Sequence, residues 1–163
     1  MIEFSTRNGC DFMKIAVIDG QGGGLGKVVI ERLIKERIHE KASLFALGTN
    51  GVATSVMLKA GAHEGASGEN ALVYNLTNTD IIIGSCSILL QNSMLGEITP
   101  GMACAILESP ACKILVPLKN HKIMLLGLKE QQLPRFLDEM VQKVNEYLLN
   151  RGRTAGIKKT KSN

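Results

Sequence analysis

"VIDGQGGGLGKVVIERL", residues 17–33, decides how the chain is read. Met13 to Asp19, "MKIAVID", is a short run rich in β-branched residues that stops at glycines, the pattern of a buried strand. Leu25, Val28, Val29, Leu33 and Ile34 then recur at helical spacing, which predicts a helix from Leu25 to about Arg37. The unit is strand, glycine turn, helix.

Working outward, the same alternation continues. "SLFALG" at 43–48 reads as a second strand, and Thr49 or Asn50 is placed to cap a helix that stops near Gly61. The stretch 62–79 is ambiguous between strand and helix, and its position just before an obvious strand, "DIIIG" at 80–84, favours helix. Residues 85–98 suggest a loop or short helix. Thr99 followed by Pro100 marks the start of a helix to about Glu108. Lys113 to Pro117 and Lys122 to Gly127 read as the last strands, the first ending at its proline because an interior strand needs the missing amide. Residues 133–150 give the clearest amphipathic helix, with Leu133, Phe136, Leu137, Met140, Val141, Val144, Tyr147 and Leu148 on one side. Uniformly apolar strands alternating with helices predict a three-layer α/β fold: a mostly parallel, doubly wound, Rossmann-like sheet.

Composition narrows the function classes. A chain of 163 residues is long enough for one core without disulfide or metal staples. No apolar run approaches the length of a membrane span, and residues 1–14 lack the pattern of a secretory signal, so the expected location is cytoplasmic. The net charge of +4 comes from the end of the chain. Residues 151–163 hold five basic residues and no acidic one, while residues 1–150 hold fourteen basic against fifteen acidic. With no tryptophan and only two tyrosines there is no stacking platform, and nucleic acid is not the expected partner. Cys10, Cys86, Cys104 and Cys112 form no close pair and, with His39, His63 and His121, no local zinc signature. They read as reduced, mostly buried thiols, Cys86 standing nearest a strand end.

The glycines point to an anion. Gly20, Gly24 and Gly26 fit the spacing G-x-x-x-G-x-G, which resembles the phosphate loop of the short-chain dehydrogenase/reductase family, with Asp19 where that family commonly has threonine. Small residues let backbone amides approach a phosphate, and the new helix adds its positive end. The chain departs from that family elsewhere. Gly48-Thr49-Asn50 supplies no carboxylate for a ribose diol, and the catalytic Tyr-x-x-x-Lys is absent, because Asn78 follows Tyr74 and Arg151 follows Tyr147 at that spacing. A P-loop fails as well, since Gln21 and Val28 occupy its required glycine and Ser/Thr positions.

As a whole, "MKIAVIDGQGGGLGK", "LGTNGVATSVMLKAGA", "GENALV", "DIIIG" and "NSMLGEITPGMA" resemble a family of small bacterial proteins of unknown function, found largely in Firmicutes. The resemblance covers about Met13 to Tyr147. It implies that residues 1–12 are a leader outside the shared domain, or an upstream start before a genuine Met13; the expected division is then a domain at 13–150 and, from its charge, a basic flexible tail at 151–163. It brings no activity with it.

The expected ligand is a nucleotide or another phosphorylated small molecule, with or without magnesium. Gly20, Gly22, Gly23, Gly24, Gly26 and Lys27 form the expected loop, Thr49, Asn50 and Ser85 the floor, and Asn92 and Glu97 the lid side. Glu69, Asn70, Ser93 and Thr99 lie in similar glycine-bounded segments but suit caps and turns equally well. The sequence names no reaction. Asp19 and Glu97 are the candidate acid/base groups, although Asp19 is better suited to accepting the backbone amides of its own turn. The competing class is a noncatalytic sensor or homo-oligomeric assembly protein, in which the glycine turn is structural and "SILLQNSMLGEI" packs against a second copy.

Overall fold

The computed structural model describes residues 12–117 and 132–159. Its first unit is strand β1, Met13–Asp19, a four-residue connection, and helix α1, Gly24–Lys35. Val29, Ile30 and Leu33 of that helix are buried, as their spacing requires. Arg37 then turns back with φ +57°. Strand β2, Ala42–Gly48, is followed by helix α2, Gly51–Lys59, capped by Asn50, whose Oδ1 accepts from the Ala53 amide at 2.9 Å.

Residues 62–79 contain an element that the sequence reading missed. Glu64–Ser67 is a strand, β3, and the expected helix is confined to α3, Glu69–Leu76. The strand is four residues long, lies at the sheet edge and has no β-branched residue. Its central glycine is explained by packing: a Cβ at Gly65 would stand 2.9 Å from side-chain carbons of Thr54 and Leu58 on α2. Strand pairing and close helix packing here override local propensity.

The remaining elements are β4, Ile81–Ser85; α4, Pro100–Glu108; β5, Cys112–Val116; and α5, Leu133–Lys159. Thr99 caps α4 by accepting from the Met102 amide, with Pro100 at the first helical position. β5 stops at Val116, immediately before Pro117. α5 runs past residue 150, where its apolar stripe predicts an end, to Lys159. The expected strand Lys122 to Gly127 lies outside the described residues.

All described strands are parallel, in the order β3-β2-β1-β4-β5. The chain winds outward from β1 through β2 to β3, then returns to place β4 against the other side of β1. Two apolar layers cover the sheet. On one face Ile15, Val17, Ile81 and Ile83 pack with Val29, Ile30, Met57, Met140 and Val144; on the other, Ala16, Ile18 and Ile82 pack with Leu72, Leu76, Met102 and Ile106. Both faces of β1, β2 and β4 are therefore largely buried, which explains why they read as continuous apolar runs. The result is a three-layer, doubly wound, Rossmann-like domain with its topological switch point between β1 and β4.

Among the described cysteines none is fully buried, which corrects the expectation of mostly buried thiols. Cys104 is exposed, and Cys86 and Cys112 are partly covered. The helix period explains Cys104: Met102, Ala103 and Ile106 take the inner face of α4 and turn residue 104 outward. Its neighbour Glu108, by hydrogen bond and by charge, pushes the thiol pKa up, away from a reactive thiolate.

Candidate functional site

The switch point brings together the carboxyl end of β1, the N-terminus of α1 and the segment that leaves β4. Asp19, the last residue of β1, is almost fully buried. Its Oδ1 accepts from the Gly20 amide at 2.8 Å, and its Oδ2 accepts from the Gly26 amide at 2.7 Å. α1 has no capping side chain at Gly23 and no acidic residue in its first turn. Asp19 takes that role from the strand, setting a negative charge on the positive helix end.

Two opposing influences act on the Asp19 proton. Burial is the larger and pushes the pKa above its ordinary value; the Gly26, Gly20 and Leu25 amides pull it down, and the Glu97 charge adds to the upward push.

The turn itself is closed by the Gly23 amide donating to the Gly20 carbonyl at 2.9 Å. Gln21 sits at φ +50° and Gly23 at φ +70°, and a Cβ on Gly23 would press within 2.8 Å of the Ala53 backbone. Glycine at 23 is thus required by conformation and by packing. At Gly26 packing alone demands it, because a Cβ would meet Met57 Sδ at 2.3 Å.

Gly22 and Gly24 are different. Both are exposed, neither has a positive φ, and a Cβ on either would meet nothing within 4 Å. Among the described residues, neither amide has a hydrogen-bond partner.

Across the connection lies Glu97, delivered by the segment between β4 and α4. Its Oε2 accepts from the Gln21 amide at 2.8 Å, from Asn50 Nδ2 at 2.8 Å and from the Thr49 hydroxyl. The Thr49 hydroxyl first and then the Gln21 amide hold the Glu97 carboxyl below its ordinary pKa; desolvation opposes them more weakly, and Asn50 adds a still smaller downward pull. Asn50 Nδ2 also reaches the Gln21 carbonyl at 3.1 Å, tying the start of α2 to the β1–α1 connection. Met94 covers Gly20: a Cβ there would stand 2.7 Å from its Sδ.

The other expected residues are placed less centrally. Lys27 lies exposed in the first turn of α1, its Nζ 3.8 Å from Glu31 Oε1. Asn92, at φ +62°, is an exposed turn residue whose amide donates to the Ile98 carbonyl at 2.7 Å. Ser85 ends β4 and is 1% exposed, yet its hydroxyl has no partner among the described residues. Continuing the Val17–Ile83 register by two residues brings Ser85 level with Asp19. Glu69 lies exposed at the start of α3, with an oxygen 2.2 Å from where a Gly101 Cβ in the first turn of α4 would be. Sequence reasoning missed Gln21 and Met94. Gln21 acts through its backbone amide, which leaves no mark on residue type, while Met94 resembles an ordinary core methionine.

Among the described residues, no three His, Cys, Asp or Glu side chains converge as a metal site, and no helix is long and apolar enough to cross a membrane. Fold and site together define a Rossmann-like α/β domain with two carboxylates gathered at its switch point. The chain belongs to the DUF3842 family, a domain of unknown function, whose model matches residues 14–149. No curated protein and no solved structure matches it.

Proposed function

We propose that the protein binds a nucleotide or another phosphorylated small molecule at the carboxyl edge of the sheet, over the Gly20–Lys27 connection. The observation that carries this reading is the pair Gly22 and Gly24. Their amides are unpaired among the described residues, and neither backbone conformation nor any neighbour requires glycine there. A ligand lying against the main chain supplies the missing reason: its phosphate takes the two amides at the start of α1, where the helix end favours negative charge.

Asp19 already satisfies the Gly20 and Gly26 amides, so the phosphate contacts fall to Gly22 and Gly24. Lys27, which among the described residues makes only an exposed pair with Glu31, can turn toward the added charge, and magnesium is the alternative counter-ion. Thr49, Asn50 and Ser85 supply polar contacts for the rest of the ligand. Asp19 serves as the anionic cap of α1 in this reading, which leaves no acid/base task for it.

The test is a thermal-shift panel of NAD, NADP, FAD, ATP, GTP, nucleoside monophosphates and sugar phosphates, with and without magnesium, on wild type and Gly24→Leu. A ligand at 100 times its Kd stabilises the native state by about 2.7 kcal/mol, several degrees for a domain of this size. The expected result is a shift in wild type that Gly24→Leu loses while keeping its own Tm. No shift at millimolar ligand contradicts the proposal and favours assembly, for which Leu95, 95% exposed in the segment after β4, is the supporting observation.

A further inference from the structure

We infer that Glu97 is a built-in competitor for the ligand anion, and that residues 92–97 form a strap that the ligand must lift. The inference rests on the phosphate-site reading above and adds its regulation. Three donors from two connections, the Gln21 amide after β1 and the Thr49 hydroxyl and Asn50 side-chain amide after β2, converge on the single oxygen Oε2 of Glu97. Such convergence is what an anion needs, and here the anion comes from the chain itself.

The strap also fills the space. Met94 Sδ lies against Gly20, beside the β1–α1 connection that offers the Gly22 and Gly24 amides. A phosphate on those amides and the Glu97 carboxylate on the adjacent Gln21 amide place two negative charges on one short turn. They repel each other and draw on neighbouring donors, so binding of one weakens the other.

Two further features fit a segment that changes place. Asn92, Met94 and Leu95 have φ of +62°, +54° and +59°, a left-handed series that side-chain-bearing residues rarely adopt. Leu95 gains no packing from this arrangement, since it is 95% exposed. Independently, Ser85 keeps a buried hydroxyl that has no partner among the described residues, at the point where the chain leaves β4.

Binding of ADP and of inorganic pyrophosphate to wild type, Glu97→Gln and Glu97→Ala tests the inference by calorimetry, with hydrogen exchange followed in peptides covering 90–98. Glu97→Gln keeps the shape and one acceptor, and melting curves of both variants establish that they fold. The expected result is affinity at least about tenfold higher in Glu97→Ala, a smaller gain in Glu97→Gln, and faster exchange of the wild-type strap when ligand is bound. Unchanged or weaker binding in both variants, or a strap that becomes more protected, overturns the competitor role while leaving the phosphate site standing. Absence of binding to all three proteins overturns the phosphate site and the competitor with it.

Discussion

Asp19→Ala is expected to lower folding stability by roughly 3 kcal/mol, read from urea unfolding at neutral pH. The carboxylate accepts from the Gly20 amide, in the connection after β1, and from the Gly26 amide, in the first turn of α1, and it is the cap that this helix otherwise lacks. Alanine leaves those donors in a buried pocket without an acceptor, and hydrogen bonds to a charged group contribute about 1.5–3 kcal/mol each. The sum is reduced because burying the charge is itself costly, as the raised pKa of Asp19 shows. A loss below about 1 kcal/mol contradicts the capping role.

Asp19→Asn separates the two contributions by pH. The folded protein holds the Asp19 proton more tightly than the unfolded chain, because burial raises the pKa. The stability linked to this proton is therefore fully present below the unfolded value of about 3.9 and is lost as pH rises through the folded value. Asparagine does not titrate. Relative to Asp19→Asn, wild type is expected to be more stable at pH 4 than at pH 7, and an opposite trend contradicts the assignment of burial as the dominant influence.

Gly48→Ala is the second large effect, with an expected loss of about 3 kcal/mol. Gly48 ends β2, and a Cβ there would stand 2.2 Å from Thr54 Oγ1, 2.7 Å from the Asn50 carbonyl oxygen and 2.7 Å from the Thr54 amide nitrogen. Two of these atoms are backbone at the start of α2, so relief requires the helix to move away from the sheet. That movement carries Asn50 and Thr49 with it, and both hold Glu97. Gly24→Ala is the control, since nothing stands near its Cβ and alanine favours the helix by as much as about 1 kcal/mol. Equal effects at the two positions would contradict the division between structural glycines and the open pair.

Much of the fold was legible because its signals are local. β1, β2 and β4 are buried on both faces, so their residues are almost uniformly apolar, and α4 carries its own Thr99-Pro100 start signal. β3 was not legible because "EGAS" owes its form to β2 beside it and α2 above it, neither of which lies in those four residues. At the site, the glycine cluster marked the place, but only the folded packing divides Gly23 and Gly26, which it fixes, from Gly22 and Gly24, which it leaves open. The sequence reading found no carboxylate after β2. In the structure Glu97, nearly fifty residues further along the chain, stands against Thr49 and Asn50 at that strand end. The separation hides the contact from any motif. The left-handed run at Asn92, Met94 and Leu95 is hidden for another reason, since methionine and leucine are not residues that announce such a turn.

The most direct measurement is an amide NMR titration of the 15N-labelled protein with ADP and magnesium, followed at Gly22 and Gly24. The account predicts that these two resonances show the largest, saturable shifts, with Gln21 moving as Glu97 leaves its amide. Resonances of Gly22 and Gly24 that stay unmoved at millimolar ADP, while shifts elsewhere saturate or none occur, would contradict the placement of a phosphate on this turn.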